Sequence, residues 1–141
     1  MKQIILLVDD DPDLLRIMRD SLSDAGYEVM TAPDGLKALD VLRSRKPDVI
    51  VSDVEMPDMS GFEFCETFRG LPQNAAVPFI FLTAFDSKER QRQARLVGAD
   101  DFLVKPFDMV ELLVMVKTRL ARIMQIYRED PQNPEEPKES S

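Results

Sequence analysis

A chain of 141 residues, 44% of them hydrophobic, is long enough for one sizeable core and short enough that a single domain is expected. Its 26 acidic against 18 basic residues leave a net charge of −8, the wrong sign for gripping a phosphate backbone, so no direct nucleic-acid binding is expected. With no histidine and Cys65 as the lone thiol, a Cys/His zinc site, a Ser-His-Asp triad and an intrachain disulfide are all excluded; carboxylates, hydroxyls and lysines must carry any chemistry.

The first apolar run, Ile4 to Val8, is continuous, as in a strand covered on both faces. It stops at three aspartates, too short for a signal peptide or a bilayer span, so a cytoplasmic protein without a membrane segment is expected. Asp11-Pro12 supplies an N-cap and a first-turn proline for a helix that runs toward Ala25 and stops at Gly26. Tyr27 to Ala32 reads as a second strand, Asp34 to Arg45 as a capped helix, and Val49 to Ser52 as a third, buried strand. Beyond a loop with Pro57 and Gly61, a helix is expected from Phe62 to Arg69, ended by Gly70-Leu71-Pro72. Val77 to Leu82 forms a fourth strand, Ser87 to Val97 a charged helix stopped by Gly98, Asp101 to Val104 a fifth strand, and Asp108 to Arg128 the last helix. Residues 129–141 read EDPQNPEEPKESS, without an apolar residue; such a segment cannot offset its ordering entropy by burial and is expected to be a disordered acidic, Pro-rich tail or linker after a domain of residues 1–128. No effector domain follows, so the chain reads as stand-alone or as a piece of a longer protein.

Five strand-helix units in strict alternation imply a doubly wound α/β domain with a parallel sheet. Ligands of such sheets bind beyond the carboxyl ends of the strands, where the strand order reverses. That rim receives Asp9, Asp10 and Asp11 from strand one, Asp53 from strand three, Thr83 from strand four and Lys105 from strand five. Singly, each has an ordinary reading: a helix cap, a strand-end hydroxyl, a surface charge. Jointly they do not, because carboxylates about 5 Å apart repel by about 3 kcal/mol per pair at an effective dielectric near 20. Asp9, Asp10 and Asp53 therefore call for a hard cation. Three carboxylates and one lysine sum to −2, which one Mg²⁺ neutralises, and a metal, an ammonium and a hydroxyl around a carboxylate are the equipment of phosphoryl transfer to that carboxylate.

The segments VDDDP at 8–12, SDVEMPDMSG at 52–61, LTA at 82–84 and GADDFLVKPF at 98–107 resemble the receiver domain of two-component response regulators, over essentially residues 3–125. The resemblance implies a flavodoxin-like five-stranded sheet of order 2-1-3-4-5 with five helices. It implies that Asp53 accepts a phosphoryl group from the phosphohistidine of a sensor histidine kinase or a phosphotransfer protein. Asp9 and Asp10 match the acidic metal pair, and Glu55 sits where the family contributes a main-chain carbonyl to Mg²⁺. Thr83 matches the hydroxyl that meets the phosphoryl group, Lys105 the lysine that pairs with it, and Phe102 the aromatic switch. The same resemblance implies a cis Lys105-Pro106 bond. Phosphorylation would change a surface of the fourth helix, fifth strand and fifth helix, where a homodimer is also possible. Glu55 and Phe85 fall at positions where the family tunes phosphoryl lifetime. The chain would assist its own phosphorylation and dephosphorylation without turning over a metabolite.

Two rivals stand beside this reading. A haloacid-dehalogenase-type phosphohydrolase also uses Asp, Thr, Lys and Mg²⁺, but on strand one it places a second acid two residues beyond its nucleophile, followed by a hydroxyl residue, where this chain has Pro12 and Asp13. A flavin or nucleotide domain should offer Gly, Ser or Thr amides after strand one; three aspartates do the opposite. Among the remaining residues, Cys65 between Phe62, Phe64 and Phe68 reads as a buried thiol, with a redox sensor as the alternative. Lys88, Arg90, Arg92 and Arg95 read as a solvated face or a partner surface. Leu15, Met18, Leu22 and Ala25 form an inward stripe of the first helix; Leu14 and Ile17 fall off it, as ordinary surface or as the place where the kinase's phosphohistidine domain docks. In the last helix Met109, Leu113, Val116, Leu120, Ile123 and Tyr127 keep a heptad-like spacing, suited to a dimer or to the domain's own core.

Overall fold

The continuous apolar runs become strands covered on both faces. The computed structural model describes the backbone of residues 2–84 and 87–129 and the side chains of residues 2–84 and 87–122. Within it, strands β1 (Ile4–Val8), β2 (Glu28–Ala32), β3 (Val49–Asp53), β4 (Phe79–Thr83) and β5 (Asp101–Val104) alternate with helices α1 (Pro12–Asp24), α2 (Gly35–Ser44), α3 (Gly61–Arg69), α4 (Lys88–Leu96) and α5 (Met109–Glu129). All four strand pairings are parallel, in the order β2-β1-β3-β4-β5, as the resemblance implies.

The period-two geometry of a strand splits the core in two. Leu6, Val8, Ile50, Phe79 and Phe81 point toward α2, α3 and α4, where Phe64, Cys65 and Phe68 meet them. Ile5, Leu7, Val49, Val51, Ile80 and Leu82 point the other way, onto Met18 and Leu22 of α1 and Leu112, Val116 and Leu120 of α5. The aromatic rings pack in tilted contacts, with Phe79 5.0 Å from Phe81 and 5.6 Å from Phe64. Arg69 fastens the lower rim: its guanidinium donates to the carbonyls of Asn74, Val77 and Gly98 and pairs with Asp100 at 3.0 Å.

Helix starts follow the expected caps at Asp11 and Asp34, and α3 adds a capping box not read from the sequence. Asp11 accepts from the amides of Asp13 and Leu14, Asp34 from Lys37, and Ser60 and Glu63 close a capping box. Strand ends differ by a residue or two for local reasons. Tyr27 is not in β2, because its amide still donates to Leu22 in the turn that Gly26 makes at φ +103°. β4 begins at Phe79, since Pro78 lacks an N–H and offers only its carbonyl to Ile50. A short 3₁₀ turn, Pro72–Asn74, was not signalled by periodicity.

Two stripes need correction. In α1, Met18 and Leu22 are buried, but Ala25 is the exposed C-cap rather than a core residue. In α5 the buried residues are Leu112, Val116 and Leu120, with Met109 and Leu113 half-buried, so this stripe packs on the domain's own core. The side chains of Ile123 and Tyr127, the Phe85 position and the tail after Glu129 lie outside the described residues.

Candidate functional site

Register alone assembles the rim. Val8 stands opposite Ser52 across the β1–β3 pair, so the next residues, Asp9 and Asp53, emerge side by side. Asp53 pairs with Leu82, and Thr83 pairs with Val104, which puts Thr83 one step and Lys105 two steps further along the same edge. The Asp9 amide donates to Ala32 at 3.2 Å and the Lys105 amide to Thr83 at 2.7 Å, so the ladder continues through both residues and fixes their side chains. Gly61 makes room for this geometry. Its amide donates to the Val54 carbonyl at 2.8 Å, and a Cβ there would lie 2.1 Å from the Asp53 carbonyl oxygen, so only glycine lets α3 begin against the end of β3.

Carboxylate oxygens of Asp9, Asp10 and Asp53 lie within 4.8 Å of one another. Lys105 Nζ sits 3.0 Å from Asp9 Oδ2 and 3.4 Å from Asp53 Oδ1. Asp9 Oδ1 accepts from the Asp11 amide at 2.9 Å. Asp9 is fully buried and Asp53 only 4% exposed, whereas Asp10 faces solvent. Burial, then the Asp9 charge, push the Asp53 carboxyl up to about 7 against the pull of Lys105. Asp9 is raised too, mainly by burial, with Asp11 N–H and Lys105 opposing. Burial works against the Lys105 ammonium, yet the Asp9 and Asp53 carboxylates outweigh it and raise its pKa. Three all-oxygen donors on one small patch, with more negative charge than one ammonium balances, fit a hard divalent cation such as Mg²⁺.

Thr83 is fully buried and its hydroxyl donates to the Glu55 carboxylate, at 3.3 Å to Oε1 and 3.4 Å to Oε2. Sequence reasoning assigned Glu55 a main-chain metal role and a place among the lifetime-tuning positions, but no spacing pointed to a contact of its side chain with Thr83. The same carboxylate pairs with Arg90 of α4 at 3.5 Å. Phe102 stands opposite Phe81 in β5 and is half-buried against the α4-side core, diagonal to Thr83. The Lys105-Pro106 bond is cis, as the resemblance implies.

Outside this cluster, Ile17 is 46% exposed, whereas Leu14 is half-buried against the α1–α5 core and offers less surface than expected. Cys65 is buried, donates to the Val97 carbonyl at 3.3 Å, and its thiol is pushed up to about 12 by burial, which favours the inert reading over a redox sensor. Among the described residues, no helix is long and apolar enough to cross a membrane.

Fold and site together define a doubly wound, flavodoxin-like domain with an acidic pocket at its topological switch point. The response regulator receiver domain family model matches residues 5–117, and the chain belongs to that family. It is 43% identical over 118 residues to the response regulator MprA of Mycobacterium tuberculosis, spanning 84% of this chain but only 50% of MprA. It is 42% identical over 113 residues to an uncharacterized 14.6 kDa protein of Leptolyngbya boryana, covering 80% of this chain and 86% of that one. The chemotaxis protein CheY4 of Vibrio cholerae superposes with a TM-score of 0.81 at 40% identity, over 84% of this chain and 98% of CheY4. The chain is thus a signalling receiver domain of two-component systems, and the dehalogenase-type phosphohydrolase reading finds no support.

Proposed function

We propose that this domain is a phosphorylation-controlled switch that accepts a phosphoryl group on Asp53. The observation that carries the reading is the Asp53 carboxylate at a strand end, with Lys105 Nζ 3.4 Å away and two further aspartates beside it. In the transfer an Asp53 oxygen forms an O–P bond as the N–P bond to the donor's imidazole breaks. Asp9, Asp10, Asp53 and the Glu55 main-chain carbonyl would hold Mg²⁺, which when bound supplies charge stabilisation for the transferring phosphoryl oxygens. Lys105 offers an ammonium already paired with Asp9 and Asp53, and Thr83 a hydroxyl donor for the arriving group. The donor is a sensor histidine kinase or a phosphotransfer protein; Ile17, with the exposed part of Leu14, offers an apolar edge of α1 beside Asp10 for it to dock on.

The output surface is α4, β5 and α5. There Val110 and Val114 are 67% and 56% exposed, beside a groove of about 490 Å³ edged by Asp101, Asp108 and Glu111. The cationic α4 flanks β5 from the opposite face of the sheet, so the α4-β5-α5 edge carries both charges, which suits a homodimer as well as a separate effector. The test of the acceptor is intact-mass spectrometry with acetyl phosphate: one phosphoryl group is added in Mg²⁺ and none in chelator or in Asp53→Asn. Undiminished labelling of Asp53→Asn would overturn the assignment.

A further inference from the structure

Two elements reach the Glu55 carboxylate, and a third braces one of them. From β4, the Thr83 hydroxyl donates to it; from α4, the Arg90 guanidinium stands 3.5 Å from Oε2; and that guanidinium also lies over the Phe62 ring of α3, 5.7 Å from its centroid. Phe62 in turn packs edge-on against Phe81, with centroids 5.1 Å apart, so Arg90 is braced on one side by an aromatic face and on the other by a carboxylate.

We propose that Arg90 is a positioning residue for the Asp53 reaction: it holds the Glu55 carboxylate on the Thr83 hydroxyl, so that an arriving phosphoryl group must displace Glu55 and thereby release α4. The inference rests on the reading of Asp53 as phosphoacceptor. A hydroxyl has one proton to donate, so Glu55 and a phosphoryl oxygen compete for Thr83. A phosphoryl group on Asp53 also brings negative charge close to the Glu55 carboxylate, and like charges at short range push Glu55 away. What Glu55 takes leave of is Arg90, which sits in the first turn of α4 with its amide on the N-cap Ser87 hydroxyl at 3.1 Å. That helix is weakly anchored: Ala94 is its only buried residue, and a cavity of about 180 Å³ lined by Gln91, Ala94, Arg95 and Phe102 lies between it and β5. Opening the Glu55–Arg90 contact therefore acts on the helix with the least packing to resist it, directly above Phe102.

Titration of the ¹⁵N-labelled full chain with beryllofluoride in Mg²⁺, followed by amide NMR, tests this. Glu55 and Arg90 are 35% and 34% exposed, so the contact is partly screened and its loss should tighten the apparent affinity of Arg90→Ala for beryllofluoride about two- to fivefold. The α4 amides of unliganded Arg90→Ala should already sit part of the way toward the parent's beryllofluoride-bound positions. Arg90→Lys, which keeps the charge, should recover most of the parental affinity, and Arg90→Ala should have no further effect in a Glu55→Gln background. If Arg90→Ala binds beryllofluoride with parental affinity and its free α4 resonances are unmoved, the positioning role is wrong while the acceptor reading stands. If the unsubstituted chain itself gives no response to beryllofluoride, the acceptor reading falls, and this inference with it.

Discussion

Asp53 and Asp9 are two carboxylates that the strand register forces together out of water, and the consequences can be measured without any phosphodonor. Because the folded-state pKa of Asp53 is about 7, far above its ordinary value, the folded protein holds this proton more tightly than the unfolded chain. Ionisation therefore subtracts stability as pH rises from about 4 through about 7, and the loss is complete above that. Asp53→Asn, which removes the charge, is expected to stabilise the metal-free protein by about 2–4 kcal/mol at pH 8 and by almost nothing below pH 4. Urea melts in chelator check this; equal stability of the two proteins at pH 8 would contradict it. The same proton competes with a cation. Apparent Mg²⁺ affinity is expected to fall about tenfold between pH 8 and pH 6, and a flat profile in a metal titration would mean that Asp53 is not among the ligands.

At the scale of elements, the tight junctions at the carboxyl ends of the strands set what the site can do. Gly61→Ala places a methyl group 2.1 Å from the Asp53 carbonyl oxygen, so either α3 retreats or β3 bends. A loss of about 2–4 kcal/mol in a thermal or urea melt is expected, together with weaker Mg²⁺ binding, since Asp53 would move. Thr83→Ala leaves the Asp53 carboxylate in place but removes the hydroxyl that, on the proposed reading, meets the phosphoryl group. It is expected to accept a phosphoryl group while losing the rearrangement of α4, β5 and α5. Amide shifts around Phe102 in beryllofluoride as large as the parent's would show that the coupling runs elsewhere. On the proposed switch, Phe102 lacks a hydroxyl and would gain from an inward state only burial, at most about 1.5–3 kcal/mol, so the bias is expected to come from Thr83.

Much of this was legible in the chain before any coordinates. Strands β1 and β3 announce themselves as unbroken apolar runs because both faces are covered, and Asp53, Thr83 and Lys105 fall at strand ends that a parallel sheet must align. Less legible were features that depend on where a side chain points across elements. The Glu55 carboxylate reaches β4 and α4 over sequence separations that no periodicity encodes, and Arg90 is one cation among several on α4. In α5 the apolar residues form a broad stripe, and only the sheet decides that Leu112, Val116 and Leu120 are buried while Met109 and Leu113 are half-buried beside them. The need for glycine at position 61 is a matter of approach distance, which a loop sequence does not display.

For the whole molecule, Val110 and Val114 are exposed beside an acidic edge while Leu112, Val116 and Leu120 are buried, so a homodimer, if the proposed output surface forms one, is expected on the exposed α4-β5-α5 edge rather than on the buried α5 stripe. Sedimentation with and without beryllofluoride should show association only in the liganded state and its loss in Val114→Glu; a monomer under both conditions would remove the homodimer from the account. The central claim, that Asp53 is the acceptor, is tested most directly by chemistry at the residue. An acyl phosphate is reduced by borohydride, so chain treated with acetyl phosphate and Mg²⁺, reduced and mapped by tandem mass spectrometry should carry homoserine at position 53 and an unchanged Asp9 and Asp10. Homoserine at position 9 or 10, or a phosphate that survives reduction on a serine or threonine, would contradict it.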